Sequence, residues 1–340
     1  MDFALIKIFL IVIGFTVGIL LTAFLTIYFQ WPSLLIKIAI RFKRWQTGVE
    51  VKYATFKDYR FCYFCRGKPG PQPAMLMLHG FSVSKDMWLG TVELFPKDLH
   101  FICLDMPGHG ESIHLQGEES YTAAAQVERV HQFVECTGLN QKPFHLVGMS
   151  MGGMIAGTYA AWYPSEVCCL SFMCPAGLQY GTENEVAKQL LELSKTKSLC
   201  KIPCLPLTVK EVEETMALSL YHVPKNVNKQ FMQGFLDYQI PHYAIFKKCL
   251  LDCISEESRY TLLDNMSKIK APTQIIWGMD DKITDPSGGE ILAASIPNSQ
   301  LHMLEKCGHF MMMDRPKESA KLLVEFHNSV CGKVEAKKSI

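Results

Sequence analysis

Ser150 is the residue of this 340-residue chain whose surroundings point most directly to chemistry. It lies at the centre of residues 148–152, GMSMG, which have the form G-x-S-x-G. The apolar run Phe144–Val147 before it predicts a buried strand, and the small residues after it predict a closely packed helix. A serine on a sharp strand-to-helix turn exposes its hydroxyl, and flanking glycines prevent collisions across the turn. Ser150 is therefore the candidate nucleophile, with a plain helix N-cap as the alternative.

A serine hydroxyl needs a general base, and that base needs an acid to orient it. His309 follows a predicted strand and is the candidate base. Asp281 follows another predicted strand and is the candidate acid, with Asp280 and Asp285 as alternatives because a shift of one residue redirects a side chain. The order serine, aspartate, histidine along the chain, each after a strand, is typical of acyl transfer through a serine.

Negative charge develops on the carbonyl oxygen during such a reaction, and backbone N–H groups can stabilise it. The backbone amides of Phe81 and Met151 are the predicted donors, and Gly80 lets the backbone approach closely. His79, beside them, and His109, in a Pro- and Gly-containing turn, are interpreted as structural rather than catalytic. Methionines near this centre, Met149, Met151, Met173 and Met311–Met313, favour an apolar pocket.

Composition excludes several other kinds of function. The net charge of +1 gives no reason to expect nucleic acid as a partner. No glycine-rich phosphate loop occurs, so no cofactor is predicted. The 13 cysteines include the pair Cys62 and Cys65, but no second pair stands at zinc-ligand spacing, so no metal site is predicted. Many unpaired cysteines favour a reducing compartment.

A membrane anchor is predicted at the amino terminus. Ile8–Phe29 contains 22 residues without a charge, which is long enough to span a bilayer. The aromatic exit at residues 28–32 favours an anchor over a cleaved signal peptide. Four cations and no acid follow within Leu34–Trp45, so the positive-inside rule places the rest of the chain in the cytoplasm. Ser33–Trp45 is either a surface-lying segment or a linker.

The anchor also accounts for the overall hydropathy. The mean hydropathy of the chain is +0.09, whereas the residues outside Ile8–Phe29 average about −0.08 on a standard scale. The large remainder of the chain is therefore an ordinary soluble domain joined to one apolar segment.

The rest of the chain alternates short apolar runs with helical patterns, which predicts an α/β fold with a mostly parallel sheet. Eight strands are predicted, at Val51–Tyr53, Tyr59–Arg66, Ala74–Leu78, Phe101–Asp105, Phe144–Gly148, Val167–Cys174, Gln274–Gly278 and Gln300–Leu304. Residues 176–267 show helical pieces separated by prolines, which predicts an inserted cap. We therefore expect an anchor at 1–45, a catalytic domain at 46–331 and a polar tail at 332–340.

These motifs together resemble the α/β-hydrolase superfamily. The resemblance rests on HGF at 79–81, DMPGHG at 105–110, GMSMGG at 148–153, WGMDD at 277–281 and CGH at 307–309. It implies an eight-stranded sheet with helices on both faces, and its W-G-x-x-D pattern selects Asp281. Gly80, Met149 and Phe310 are then expected to bind substrate; the methionine and phenylalanine depart from the family pattern and bear on acyl-chain preference.

Within that superfamily, the N-terminal anchor and several further segments resemble membrane-bound monoacylglycerol lipases. The resemblance implies hydrolysis of monoacylglycerols such as 2-arachidonoylglycerol, with lysophospholipids and bis(monoacylglycero)phosphate as further substrates. It also implies a late endosomal or lysosomal membrane. The alternatives are another hydrolase or acyltransferase reaction on the same fold, or a membrane scaffold with a hydrolase-like domain. A sequon at Asn265 offers a test of which side of the membrane the domain occupies.

Overall fold

The computed structural model describes residues 3–115, 119–181, 184–198 and 201–338. Its strands are β1 Glu50–Phe56, β2 Tyr59–Arg66, β3 Met75–Leu78, β4 Phe101–Leu104, β5 Ile113–His114, β6 Phe144–Met149, β7 Val167–Met173, β8 Thr273–Gly278 and β9 Ser299–Leu304. Its α-helices are α1 Phe3–Gln30, α2 Pro32–Thr47, α3 Leu89–Val92, α4 Ala123–Thr137, α5 Met151–Trp162, α6 Glu185–Thr196, α7 Val209–Ser219, α8 Lys229–Gln239, α9 Tyr243–Cys253, α10 Thr261–Asn265, α11 Ser287–Ser295, α12 Met311–Asp314 and α13 Pro316–Lys338.

One sheet organises the domain. Its strands follow the order β1-β2-β4-β3-β6-β7-β8-β9, which contains the eight predicted strands. The strands from β4 to β9 along this order are parallel, whereas β2 runs antiparallel to both β1 and β4. The two-residue strand β5 pairs with β2 and was not predicted, since two residues carry no detectable alternation.

The central strands form because their sequences are apolar at most positions, the exceptions being His145 in β6 and Thr273 and Gln274 in β8. All residues of β3, β4, β6 and β8 are buried, which is typical of parallel strands covered on both faces. The helices α4, α5 and α13 contact the sheet. Because β3, β6, β8 and β9 are parallel, their carboxyl ends meet at one edge, and the loops that follow them meet there too.

A helical insertion lies between β7 and β8. In the described part of residues 174–272 there are helices α6 to α10 and no strand. The insertion has small apolar clusters of its own, one around Leu193 and Phe246 and another around Met232 and Leu236. It covers the sheet edge at which the candidate residues gather.

The amino-terminal region consists of two helices. Helix α1 is long and apolar enough to cross a membrane, with no buried residue along its 28 positions. Only Trp31 separates it from α2, whose start is fixed by Pro32 at the first helical position. Helix α2 lies along α8: a Cβ added to Gly234 would stand 2.5 Å from the Pro32 carbonyl oxygen.

The carboxyl-terminal helix and the cysteines can also be compared with the sequence predictions. Helix α13 continues to Lys338, beyond residue 332 where the polar tail is predicted to begin. The helix therefore extends beyond the last apolar residues from which its end was predicted. The twelve described cysteines are free thiols, and Cys62 and Cys65 are buried in β2.

Candidate active site

Ser150 occupies a strained turn between β6 and α5. Its φ of +54° and ψ of −120° lie in a region that non-glycine residues rarely adopt. The flanking glycines make this turn possible. A Cβ on Gly148 would lie 2.3 Å from the Gly152 carbonyl oxygen, and one on Gly152 would lie 2.4 Å from the His79 carbonyl oxygen. The G-x-S-x-G pattern is therefore a packing requirement of this particular turn.

His309 and Asp281 meet in a buried hydrogen bond. The Nδ1 of His309 lies 2.7 Å from Oδ2 of Asp281, and the two residues are 3% and 6% exposed. The other oxygen of Asp281 accepts the backbone N–H groups of Ile283 and Thr284 at 2.8 and 3.0 Å. The Thr284 hydroxyl donates to Oδ2 at 2.8 Å. The carboxylate is thus fixed from three sides and holds the imidazole in one orientation.

The two alternative aspartates lie elsewhere in the same region. Asp280 accepts the backbone N–H of Cys307 at 3.3 Å, and Asp285 accepts that of Ser287 at 3.0 Å. Of the three, Asp281 is the one bonded to His309. Sequence reasoning missed Thr284, whose position three residues after an aspartate in a turn was the available signal.

The predicted oxyanion donors stand beside Ser150. A Cβ on Gly80 would lie 3.2 Å from the Cβ of Ser150, so glycine lets the loop pass close to the nucleophile. In the described part of the chain, the Phe81 N–H has no acceptor. The Met151 N–H belongs to the first residue of α5, where a helix leaves N–H groups without an internal partner. Both amides are therefore available to a bound oxyanion.

Two buried histidines hold this loop. His79 Nε2 accepts a backbone N–H at 2.9 Å, so its Nδ1 donates to the Gly80 carbonyl at 2.7 Å. His109 Nε2 accepts the Ser82 N–H at 3.2 Å and its Nδ1 donates to a backbone carbonyl at 2.9 Å. Burial lowers the pKa of His79 to about 4 and that of His109 to about 3, so both stay neutral. Their contacts agree with the structural interpretation.

A cavity of about 680 Å³ connects these groups to the inserted helices. The candidate residues that line it are Gly80, Phe81, Met149, Ser150, Met151, His309 and Phe310. Most of the remaining lining is apolar and comes from the insertion between β7 and β8, from its loops as well as its helices, a character suited to an acyl chain. Of the methionines expected here, Met149, Met151, Met312 and Met313 line the cavity, whereas Met173 and Met311 are fully buried in the core.

Among the residues that the structure describes, two groups of side chains have ligand atoms close enough to share a metal ion. One is Cys174 with Asp281 and His309, whose carboxylate and imidazole are already bonded to each other. The other is Cys168, Cys169 and Cys331, which lie outside the cavity lining. Sequence reasoning missed this second group because Cys331 lies 162 residues after Cys169 along the chain and only the fold brings it beside β7.

Comparisons with known proteins agree with this geometry. Residues 73–316 match the family described as alpha/beta hydrolase fold. Monoacylglycerol lipase ABHD6 of Mus musculus is 49% identical over 330 residues, covering 97% of this chain and 97% of that protein. The protein of the same name from Homo sapiens is 48% identical with the same coverage. Among solved structures, a bacterial membrane phospholipase A superposes with a TM-score of 0.79 at 25% identity, covering 95% of this chain and 99% of the other.

Proposed function

The chain belongs to the α/β-hydrolase fold family, and we propose that it is a membrane-anchored serine lipase that cleaves monoacylglycerols to fatty acid and glycerol. The observation that carries the proposal is that His309, bonded to Asp281, lines one apolar cavity together with the strained Ser150. The 49% identity to a monoacylglycerol lipase over nearly the whole chain supports the substrate class. Helix α1 supports attachment to a membrane.

In the first half of the reaction, the Ser150 hydroxyl oxygen attacks the ester carbonyl while His309 Nε2 takes the hydroxyl proton. The positive imidazole is stabilised by the Asp281 carboxylate, which accepts from Nδ1. The N–H groups of Phe81 and Met151 stabilise the tetrahedral oxyanion; each such donor is worth roughly 10²–10³ in rate. The bond to the glycerol oxygen then breaks, and His309 returns the proton to the departing alcohol.

In the second half, a water molecule attacks the acyl-enzyme. His309 accepts the proton of this water, the same two amides hold the second oxyanion, and the bond to Ser150 breaks. Fatty acid leaves and the serine recovers its proton. Each attack needs a neutral imidazole with a free acceptor at Nε2, which the Asp281 contact at Nδ1 provides, and each breakdown step uses the proton that Nε2 has taken.

The finer substrate range rests on the resemblance to monoacylglycerol lipases, and the cavity is compatible with it. A volume of about 680 Å³ accommodates a long acyl chain. On that resemblance we propose 2-arachidonoylglycerol as a substrate, with lysophospholipids and bis(monoacylglycero)phosphate as further ones. Met149 and Phe310 line the cavity and are the residues at which we expect acyl-chain preference to be set. Competition assays among these lipids rank them directly.

A fluorophosphonate probe tests the nucleophile. We expect Ser150→Ala to abolish both labelling and glycerol release from 2-oleoylglycerol. Ser329→Ala is the matched control, because Ser329 is exposed on α13 and bonds only within its own helix. Unchanged labelling of Ser150→Ala would contradict the mechanism. Labelling without glycerol release would favour another acyl substrate, and a protein with neither activity would be the scaffold alternative.

We further propose that the catalytic domain faces the cytoplasm, with residues 1–45 as anchor, 46–331 as hydrolase domain, 176–267 as its cap and 332–340 as tail. The sequon cannot test this, since Asn265 is 7% exposed and its side chain donates to the Thr261 carbonyl. Cys136 is an exposed thiol and offers a better test. A membrane-impermeant maleimide should label sealed microsomes, and Cys136→Ser should remove that signal. Label that appears only after permeabilisation would place the domain in the lumen.

The organelle is a separate proposal, namely the late endosomal or lysosomal membrane. Fractionation of cells that express the full chain should bring it down with late endosomal markers. A chain found mainly with endoplasmic reticulum or plasma membrane would contradict this location, and the proposed lipase activity would be unaffected.

A further inference from the structure

Helix α2 has two apolar faces, although a helix on the surface of a domain ordinarily needs one. The inner face contains Pro32, Ile36 and Ile40, which are buried or half-buried against the domain. The outer face contains Leu34, Ile38, Phe42 and Trp45, spaced by four, four and three residues, and these are between 38% and 76% exposed. This spacing places the four side chains in one stripe along the helix.

The inner face forms part of the cavity wall. Ile36 and Ile40 line the same cavity as Ser150 and His309. The juxtamembrane helix therefore contributes directly to the surface that contacts substrate. Helix α8, which packs against α2, contributes Phe231, which lines the cavity and is 56% exposed. The cavity thus reaches the surface beside the helix that leads into the membrane.

The outer face must lie close to the bilayer. Trp31 is the single residue between α2 and the membrane-spanning helix α1, so α2 begins within a few ångströms of the membrane surface. Lys37 and Arg41 are exposed on the same helix and suit the anionic cytoplasmic leaflet. Helix α1, one residue before α2 along the chain, exposes apolar side chains over its whole length, which favours lipid over a protein as the occupant of the stripe.

The domain holds α2 rigidly in this position. Arg44 forms two hydrogen bonds of 2.6 Å with the carboxylate of Asp86, a geometry that fixes orientation as well as distance. Lys43 bonds Glu93 at 2.6 Å. Close backbone contact at Gly234 fixes the other end of α2 against α8. A helix fixed at both ends can seat the whole domain on the membrane.

Building on the proposed lipase function, we propose that α2 lies in the bilayer interface with its outer stripe among the lipids, and that the acylglycerol enters the cavity from the leaflet between α2 and α8. The acyl chain then passes Phe231 and lies against Ile36 and Ile40 on its way to Ser150. The substrate never crosses water, so its chain exchanges one apolar environment for another. The anchor segment is in this way part of the substrate-binding site.

The test compares an embedded substrate with a dissolved one. Full chain reconstituted in phosphatidylcholine vesicles is assayed on 2-oleoylglycerol in the bilayer and on p-nitrophenyl butyrate in solution. We expect Ile38→Ser/Phe42→Ser/Trp45→Ser to lose about tenfold or more on the embedded lipid, because three apolar side chains leave the interface. Activity on the dissolved ester should stay within about twofold. Ile113→Ser/Leu115→Ser is the matched control, since these exposed apolar residues lie outside α2 and the cavity lining.

The outcomes separate this proposal from the lipase function. Equal loss on both substrates, or no loss on either, would overturn the membrane role of the stripe. A wild-type chain that cleaves only the dissolved ester would instead overturn the lipase proposal. Should the triple variant fail to fold, Trp45 fluorescence gives an independent answer. The fluorescence of Trp45 is obtained as the difference between the wild-type chain and Trp45→Phe. Brominated phosphatidylcholine should quench this difference, and absence of quenching would overturn the proposal.

Discussion

Asp281→Asn is the substitution whose effect the structure determines most sharply. Oδ1 of Asp281 accepts two backbone N–H groups, at 2.8 and 3.0 Å. In the asparagine variant, these donors hold the amide oxygen at the same place, and the NH₂ group takes the position of Oδ2, 2.7 Å from Nδ1 of His309. An NH₂ group donates, so His309 must present an unprotonated Nδ1 and carry its proton on Nε2. It can then no longer accept the proton of Ser150.

The expected loss follows from that change of tautomer. Forcing the wrong tautomer in a serine triad lowers kcat by about 10⁴, which corresponds to about 5.4 kcal/mol of transition-state stabilisation. Thermal stability should change little, because the Thr284 hydroxyl can donate to the Cys174 carbonyl, 3.3 Å away, instead of to the lost carboxylate. The assay is glycerol release from 2-oleoylglycerol, together with the rate of fluorophosphonate labelling and the Tm.

Asp280→Asn is the matched control for this experiment. Its carboxylate accepts one backbone N–H at 3.3 Å and does not contact His309, so we expect activity within about threefold of wild type. Two results would refute the reasoning. One is an Asp281→Asn enzyme that keeps more than a tenth of its kcat. The other is an Asp280→Asn enzyme that loses as much as Asp281→Asn.

Three further predictions concern the support of the site. Gly148→Ala should abolish fluorophosphonate labelling, because its Cβ would lie 2.3 Å from a carbonyl oxygen; Gly90→Ala, with nothing within 4 Å, should label normally. Lys85→Met should cost about 3–5 kcal/mol of stability, seen as a clear fall in Tm, since Asp105 would lose a buried partner 2.7 Å away. The free energy of unfolding should decrease as the pH is lowered below about 6.5. In the unfolded chain His109 binds a proton in that range, whereas in the folded chain burial lowers its pKa to about 3 and it stays neutral. His109→Gln should therefore make the decrease smaller. A pH-independent Tm would contradict it.

Much of the fold was predictable because buried parallel strands carry a continuous apolar signal. The runs at β6 and β8 are buried at every position, and their predicted bounds differ from the structure by one residue. The methionines were harder to place. Met311 and Met313 are two residues apart, yet the former is fully buried and the latter lines the cavity, since only the course of the backbone decides which way each points.

The candidate triad was predictable in its residue types but not in its surroundings. Motif order selected Ser150, Asp281 and His309, and the structure brings the last two into contact. The role of Thr284 could not be predicted because it depends on the course of a turn. That turn places the Thr284 hydroxyl 2.8 Å from the Asp281 carboxylate and 3.2 Å from Nδ1 of His309. Helix α2 was left open between a surface segment and a linker, since its sequence does not show which face meets the domain.

The loop that carries the Phe81 amide is held by residues that are distant from it along the chain. Ser82 follows with a φ of +55°, and each of its polar groups is bonded to a distant residue. Its N–H donates to His109, its hydroxyl to the Cys204 carbonyl, and its carbonyl accepts from Gln239 at 2.9 Å. Two of these three partners belong to the cap. Because Ser82 anchors the loop one residue after Phe81, the cap helps to hold this oxyanion donor in place as well as to enclose the acyl chain. Gln239→Ala should therefore lower kcat on the small ester p-nitrophenyl butyrate, whose short chain makes few contacts with the cap. A change confined to KM for long-chain lipids would show instead that Gln239 acts only on the cavity wall.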